Sequence, residues 1–100
     1  MLYAQERALI VETCKLMQDM GFFLGTWGNI SLRVGDHILL TPSRVAYDTM
    51  TPDDIVVITK DACRVEGTRN PTSEKEVHRQ IYLIREDVRA IIHAGLTTHA

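Results

Sequence analysis

Ile30-Ser31-Leu32-Arg33-Val34-Gly35-Asp36-His37-Ile38-Leu39-Leu40-Thr41 is the stretch on which the fold turns. Ile30 to Val34 and His37 to Thr41 are short β-like runs, and the Gly35-Asp36 between them can take the positive φ angles that a two-residue hairpin demands. The segment predicts a β-hairpin. On its amino-terminal side, Ala4 to Met20 repeats Ile10, Cys14 and Met17 at helical spacing beside Leu9 and Leu16, with Glu6, Arg7, Lys15 and Gln18 filling the other face. Gly21 follows the last periodic residue, where a left-handed terminating conformation favours glycine. A glycine-punctuated loop, Gly25-Thr26-Trp27-Gly28-Asn29, connects this helix to the hairpin.

Beyond the hairpin, Thr51-Pro52-Asp53-Asp54 predicts one short helical turn, with Thr51 as cap and Pro52 at the first helical position. Ile55 to Thr59 is β-branched enough for a buried strand, and Cys63 to Gly67 can pair with it across Lys60-Asp61. Ser73-Glu74-Lys75-Glu76 matches a capping box, and Val77, Ile81 and Ile84 mark one face of a second helix ending near Arg85. Val88 to His93 reads as a buried final strand that carries His93 to its carboxyl end. The early strands are joined by turns too short for crossovers, so the order describes a single layered α/β domain over residues 1–100 with a mostly antiparallel sheet.

The composition narrows the function. A hydrophobic content of 45% is enough for a core and excludes a disordered or collagen-like chain. Eleven Lys and Arg against thirteen Asp and Glu leave a formal charge of -2 and no basic stripe to neutralise a nucleic-acid backbone. Ile55-Val56-Val57-Ile58 is far shorter than the roughly 20 apolar residues of a membrane span. The opening Met1 to Lys15 carries charges where a secretory signal needs an apolar core, so the expected location is the cytoplasm. Cys14 and Cys63 lack the spacing of a metal or redox pair.

Three places can carry chemistry. The glycines of the 25–29 loop let backbone N–H groups approach an anion while Thr26 and Asn29 add side-chain donors, although the loop is neither a Walker loop nor a dinucleotide fingerprint. Thr72 and Ser73 stand at a helix start, where hydroxyls and free N–H groups can hold phosphate or simply cap the helix, and Glu74 beside them can act as a general acid or base. His93 closes an apolar strand as a ligand or as a hydrogen-bonded core residue. His37, His78 and His99 are further histidines among which spacing selects none. Trp27 can cover a ligand or anchor its loop on the core.

Taken in order, these segments resemble the amino-terminal half of the class II aldolase/adducin family, whose zinc-dependent members include L-fuculose-phosphate aldolase and L-ribulose-5-phosphate 4-epimerase. Gly25-Thr26-Trp27-Gly28-Asn29-Ile30-Ser31 resembles the family's phosphate loop, and Thr41-Pro42-Ser43-Arg44 resembles its threonine-proline-serine/threonine-glycine segment. Tyr47-Asp48, with Met50-Thr51-Pro52-Asp53-Asp54-Ile55-Val56, is similar to its most recognisable stretch outside the active site. Pro71-Thr72-Ser73-Glu74 looks like its proline-serine-serine-glutamate motif, and Ala90-Ile91-Ile92-His93 like the strand bearing its first zinc histidine.

The resemblance implies a layered α/β/α fold, here apparently truncated, and retro-aldol cleavage of a ketose 1-phosphate such as L-fuculose 1-phosphate to dihydroxyacetone phosphate and an aldehyde. It implies Glu74 as the acid/base, Thr26, Gly28, Asn29, Ser43, Thr72 and Ser73 as the phosphate site, and His93 as a ligand of zinc. It also implies a homotetramer with sites at subunit interfaces. A pentulose-phosphate 4-epimerase uses the same parts, and a non-catalytic adducin-like module shares the fold. The pattern stops after Ala94, as truncation or a shifted reading frame would make it. Gly95 stands where the second histidine is expected, which leaves open whether His99 replaces it, and Arg44 replaces the phosphate-loop glycine.

Overall fold

The computed structural model describes residues 1–25 and 27–94. Helix α1 (Ala4–Asp19) leads into strands β1 (Asn29–Val34) and β2 (His37–Leu40), and a 3-10 turn (Pro52–Asp54) precedes β3 (Val56–Thr59) and β4 (Arg64–Glu66). Helix α2 (Lys75–Ile84) then returns the chain to β5 (Ala90–His93). Among the described residues the sheet has five strands in the order β4-β3-β2-β1-β5, and every neighbouring pair is antiparallel.

The hairpin forms as its sequence dictates. Val34 pairs with His37, leaving Gly35-Asp36 as the two-residue loop, and Gly35 alone of the two takes a positive φ, 58°. Gly21 ends α1 with φ 84°, and the N–H groups of Gly21 and Phe22 donate to the carbonyls of Gln18 and Met17, the paired bonds of a Schellman stop. Thr51 caps the 3-10 turn, its N–H donating to Asp54 Oδ2 at 2.9 Å.

Alternation along the strands splits the core into two layers. On one face Ile30, Leu39 and Val57 pack with Ile10, Val11 and Cys14 of α1 and with Phe23, Tyr47, Met50 and Ile55 from the connections. On the other, Ile38, Leu40, Val56 and Ile58 pack against Tyr82 of α2. Helices therefore cover both faces, and the α/β/α layering follows.

Three local expectations are corrected. Arg7 is not on the solvent face of α1: its side chain is buried, donating to the carbonyls of Leu2, Pro52 and Ile55 and pairing with Glu66, while Leu9 and Leu16 are exposed. Satisfying the whole guanidinium makes an arginine acceptable where periodicity assigns none. The Ser73–Glu76 capping box does not form. Instead α2 opens at Glu74, whose N–H donates to Thr72 Oγ1 at 3.2 Å, and Ser73 stays exposed. The last strand is not buried either: among the described residues β5 borders β1 alone, Ile91 and His93 turn toward the α2 side, and Ile92 is exposed.

Candidate active site

The site grows from one register. Asn29 and His93 are direct partners in the β1–β5 pair, and the two-residue period puts both on the sheet face that carries Ser31 and Ile91. Helix α2 lies over that face, and Glu74, His78 and Tyr82, each four residues apart, form one stripe down it. Glu74 Oε2 lies 3.5 Å from His93 Nδ1, with both side chains about half exposed. Below them His78 Nε2 bonds to Asn29 Oδ1, His78 Nδ1 lies 2.6 Å from Ser31 Oγ, and Ser31 Oγ lies 2.7 Å from the Tyr82 hydroxyl.

Thr41 ties the remaining loops to this centre. Its N–H donates to the Ile30 carbonyl at 3.1 Å, its Oγ1 accepts from Ile30 N–H, and its carbonyl accepts from Thr72 N–H at 2.9 Å. Pro42 bridges to Pro71, and Ser43 N–H donates to the Asn70 carbonyl at 2.8 Å. Ser43 and Thr72 are thereby held on adjoining segments. Arg44 is exposed with a left-handed φ of 61°, and it lines with Ser43, Thr68, Arg69 and Asn70 an open cavity of about 480 Å³.

Of the residues expected at the site, Asn29, Thr72, Glu74 and His93 are brought together with Ser43 and the exposed Ser73 beside them. Gly28 has a packing role: a Cβ there would fall inside the ring of Phe23, and its carbonyl accepts from the Tyr47 hydroxyl. Trp27 does not anchor the loop, being 61% exposed, and Phe23 fills the core instead. Thr26, Gly95 and His99 lie outside the described residues.

Thr41 and His78 were the residues that spacing did not select. Burial, with His93 nearby, pushes the His78 imidazole down to about 4, so the ring is neutral at physiological pH. The Tyr82 phenol is raised, mainly by burial. The partly exposed ionisable groups brought together here are the Glu74 carboxyl and the His93 imidazole.

A zinc centre takes three or four protein ligands. Among the described residues His93 Nδ1 is buried without a hydrogen-bond partner and faces a carboxylate, an arrangement that suits one edge of a cation site. Among the same residues no group of three His, Cys, Asp or Glu side chains converges, so they do not make a complete metal centre.

The sequence profile of the Class II Aldolase and Adducin N-terminal domain matches residues 8–99. A 5-methylthioribulose-1-phosphate/5-deoxyribulose-1-phosphate aldolase of Escherichia coli O45:K1 is 41% identical over 91 residues, covering 91% of this chain and 40% of its own. An L-fuculose phosphate aldolase of Methanocaldococcus jannaschii is 35% identical over 88 residues, covering 88% of this chain and 48% of its own. The solved structure of an L-fuculose 1-phosphate aldolase superposes with a TM-score of 0.89 at 31% identity, covering 94% of this chain and 45% of that one. The chain thus spans somewhat less than half the length of the relatives it matches, in their amino-terminal part. With profile, relatives and fold in agreement over nearly all of its residues, the chain belongs to the class II aldolase and adducin family.

Proposed function

We propose that residues 1–100 are the amino-terminal portion of a metal-dependent sugar-phosphate aldolase that cleaves a ketose 1-phosphate into dihydroxyacetone phosphate and an aldehyde. The observation that carries this reading is the meeting of Glu74, His93 and Asn29 at one end of the β1–β5 pair. The C4 hydroxyl gives up its proton as its oxygen becomes the aldehyde carbonyl, the C3–C4 bond breaks with its electron pair left on C3, and a proton must then reach C3 to give dihydroxyacetone phosphate. In this proposal Glu74 carries that proton, a role supported by its partly exposed carboxyl beside His93. Thr26, Asn29, Ser43, Thr72 and Ser73, with the backbone at Gly28, hold the substrate phosphate, and Arg44 adds a cation beside Ser43.

His93 serves as one ligand of a divalent metal, zinc in this proposal, whose remaining ligands lie beyond the described residues. When bound, such an ion supplies the Lewis acid that stabilises negative charge on the substrate oxygens. A tetrameric assembly in the cytoplasm completes the proposal. Its support is the family. The test is Glu74→Gln in the protein as its native cells make it, with release of dihydroxyacetone phosphate followed by a coupled assay. Turnover should fall by about 100-fold or more while affinity for inorganic phosphate changes little. An unchanged rate removes Glu74 from the reaction.

A further inference from the structure

Asn29, Ser31, His78 and Tyr82 are each at least 95% buried, yet all four side chains are polar and all are joined to one another. Apolar residues would fill this layer more simply, as Ile38, Leu40, Val56 and Ile58 do alongside. The bonds also have a direction. Asn29 Oδ1 can only accept, so His78 Nε2 carries the proton and Nδ1 has the lone pair. The Ser31 hydroxyl then donates to Nδ1, and Ser31 Oγ accepts from the Tyr82 hydroxyl.

Turning the amide over would make His78 Nδ1 a donor to Ser31 Oγ. Only one bond then joins the Ser31 and Tyr82 hydroxyls, so one of their two buried hydrogens would have no acceptor among the described residues. Only one orientation therefore pairs both hydroxyl hydrogens. In it Oδ1 of Asn29 is committed to His78, and the Nδ2 amino group is the edge left over. Among the described residues nothing accepts from that group.

We infer that His78 is a positioning residue: backed by Ser31 and Tyr82, it locks the Asn29 carboxamide so that Nδ2 is presented as a donor to the anionic group of the substrate. The inference rests on the sugar-phosphate reading above and adds to it the residue that orients one phosphate donor. His78 itself touches no substrate. A freely rotating asparagine would offer its oxygen to the anion as readily as its amino group, and the hydrogen-bond chain removes that alternative.

The test uses the full chain labelled with ¹⁵N, titrated with inorganic phosphate and followed by nuclear magnetic resonance. His78 should show the tautomer protonated at Nε2, and phosphate should shift the Asn29 side-chain amino signals. Tyr82→Phe, which keeps the ring and removes the first donor, should weaken phosphate binding about threefold, and His78→Leu about tenfold. His78→Gln can donate to Asn29 and accept from Ser31, and should recover most of the loss. A His78 ring protonated at Nδ1 alone overturns the inference. So does wild-type affinity with unchanged Asn29 shifts in a folded His78→Leu chain, or in Tyr82→Phe should the former not fold. If phosphate leaves Asn29 unmoved in the wild-type chain, the phosphate reading fails as well, and the inference falls with it.

Discussion

The Phe23 ring occupies the space in which a Cβ on residue 28 would lie. Phe23 is also packed at 5.2 Å, centroid to centroid, against Tyr47, whose hydroxyl donates to the Gly28 carbonyl. Gly28→Ala therefore drives a methyl group into a buried ring that has nowhere to go. The expected cost is about 1–3 kcal/mol in denaturant unfolding. Phe23→Leu should absorb part of that cost when the two changes are combined. Strict additivity in the double variant would refute the contact.

Arg7 predicts a larger loss. Its guanidinium fastens the first turn of α1 to the carbonyls of Pro52 and Ile55 and to Glu66 near the end of β4, and Arg7→Met leaves those acceptors unpaired. Stability should drop by about 2–4 kcal/mol, more than for Leu9→Ala or Leu16→Ala on the exposed face of the same helix. Equal effects from all three would return Arg7 to the surface.

Acid should act on the fold through His78. Its pKa is lowered from 6.5 to about 4, so the unfolded chain binds its proton first. The stabilisation is complete above pH 6.5, is lost as pH falls toward about 4, and changes no further below that, for a total of roughly 3 kcal/mol. Unfolding by urea at intervals across this range should show a slope that His78→Gln flattens. The carboxylates of Asp54, Glu66, Glu76 and Asp87 are held low, and their contribution is lost only as pH falls below the ordinary carboxylate range. Parallel curves for the wild type and the variant would disprove the assignment.

The two thiols should separate by reactivity. Cys14 is fully buried and its thiol is pushed up to about 12, while Cys63 is exposed. A colorimetric thiol reagent at pH 8 should modify one equivalent quickly and the second only in denaturant. Cys63→Ser should abolish the fast phase. Two fast equivalents would show that the α1 layer opens readily.

How much of this could be read in the sequence depended on the range of the interaction. The hairpin was legible because Gly35 and the alternation around it act over a few residues, whereas the start of α2 was read one residue early because Ser73 and Glu76 have the spacing of a capping box that does not form. Arg7 was not legible, since periodicity sorts residues by type and has no means of seeing the carbonyls that a folded chain brings to a guanidinium. The exposed β5 was misread because an apolar run looks alike whether one neighbour or two will flank it. The stripe of Glu74, His78 and Tyr82 was not read, because the apolar pattern of Val77, Ile81 and Ile84 drew attention to another face of the helix. What His78 does there required Asn29 and Ser31, which only the sheet supplies.

The position of β1 between β2 and β5 ties the site to the order of folding. Its pairing with β2 closes a two-residue loop, whereas its pairing with β5 must wait for the sequence from Gly35 to Arg89 to be gathered in. Loop-closure entropy makes the first contact early and the second late. Asn29 and His93 meet only in that second step, so a chain stalled before it would have most of its secondary structure and no Asn29–His93 pair. The formation of that pair becomes a report that folding has finished.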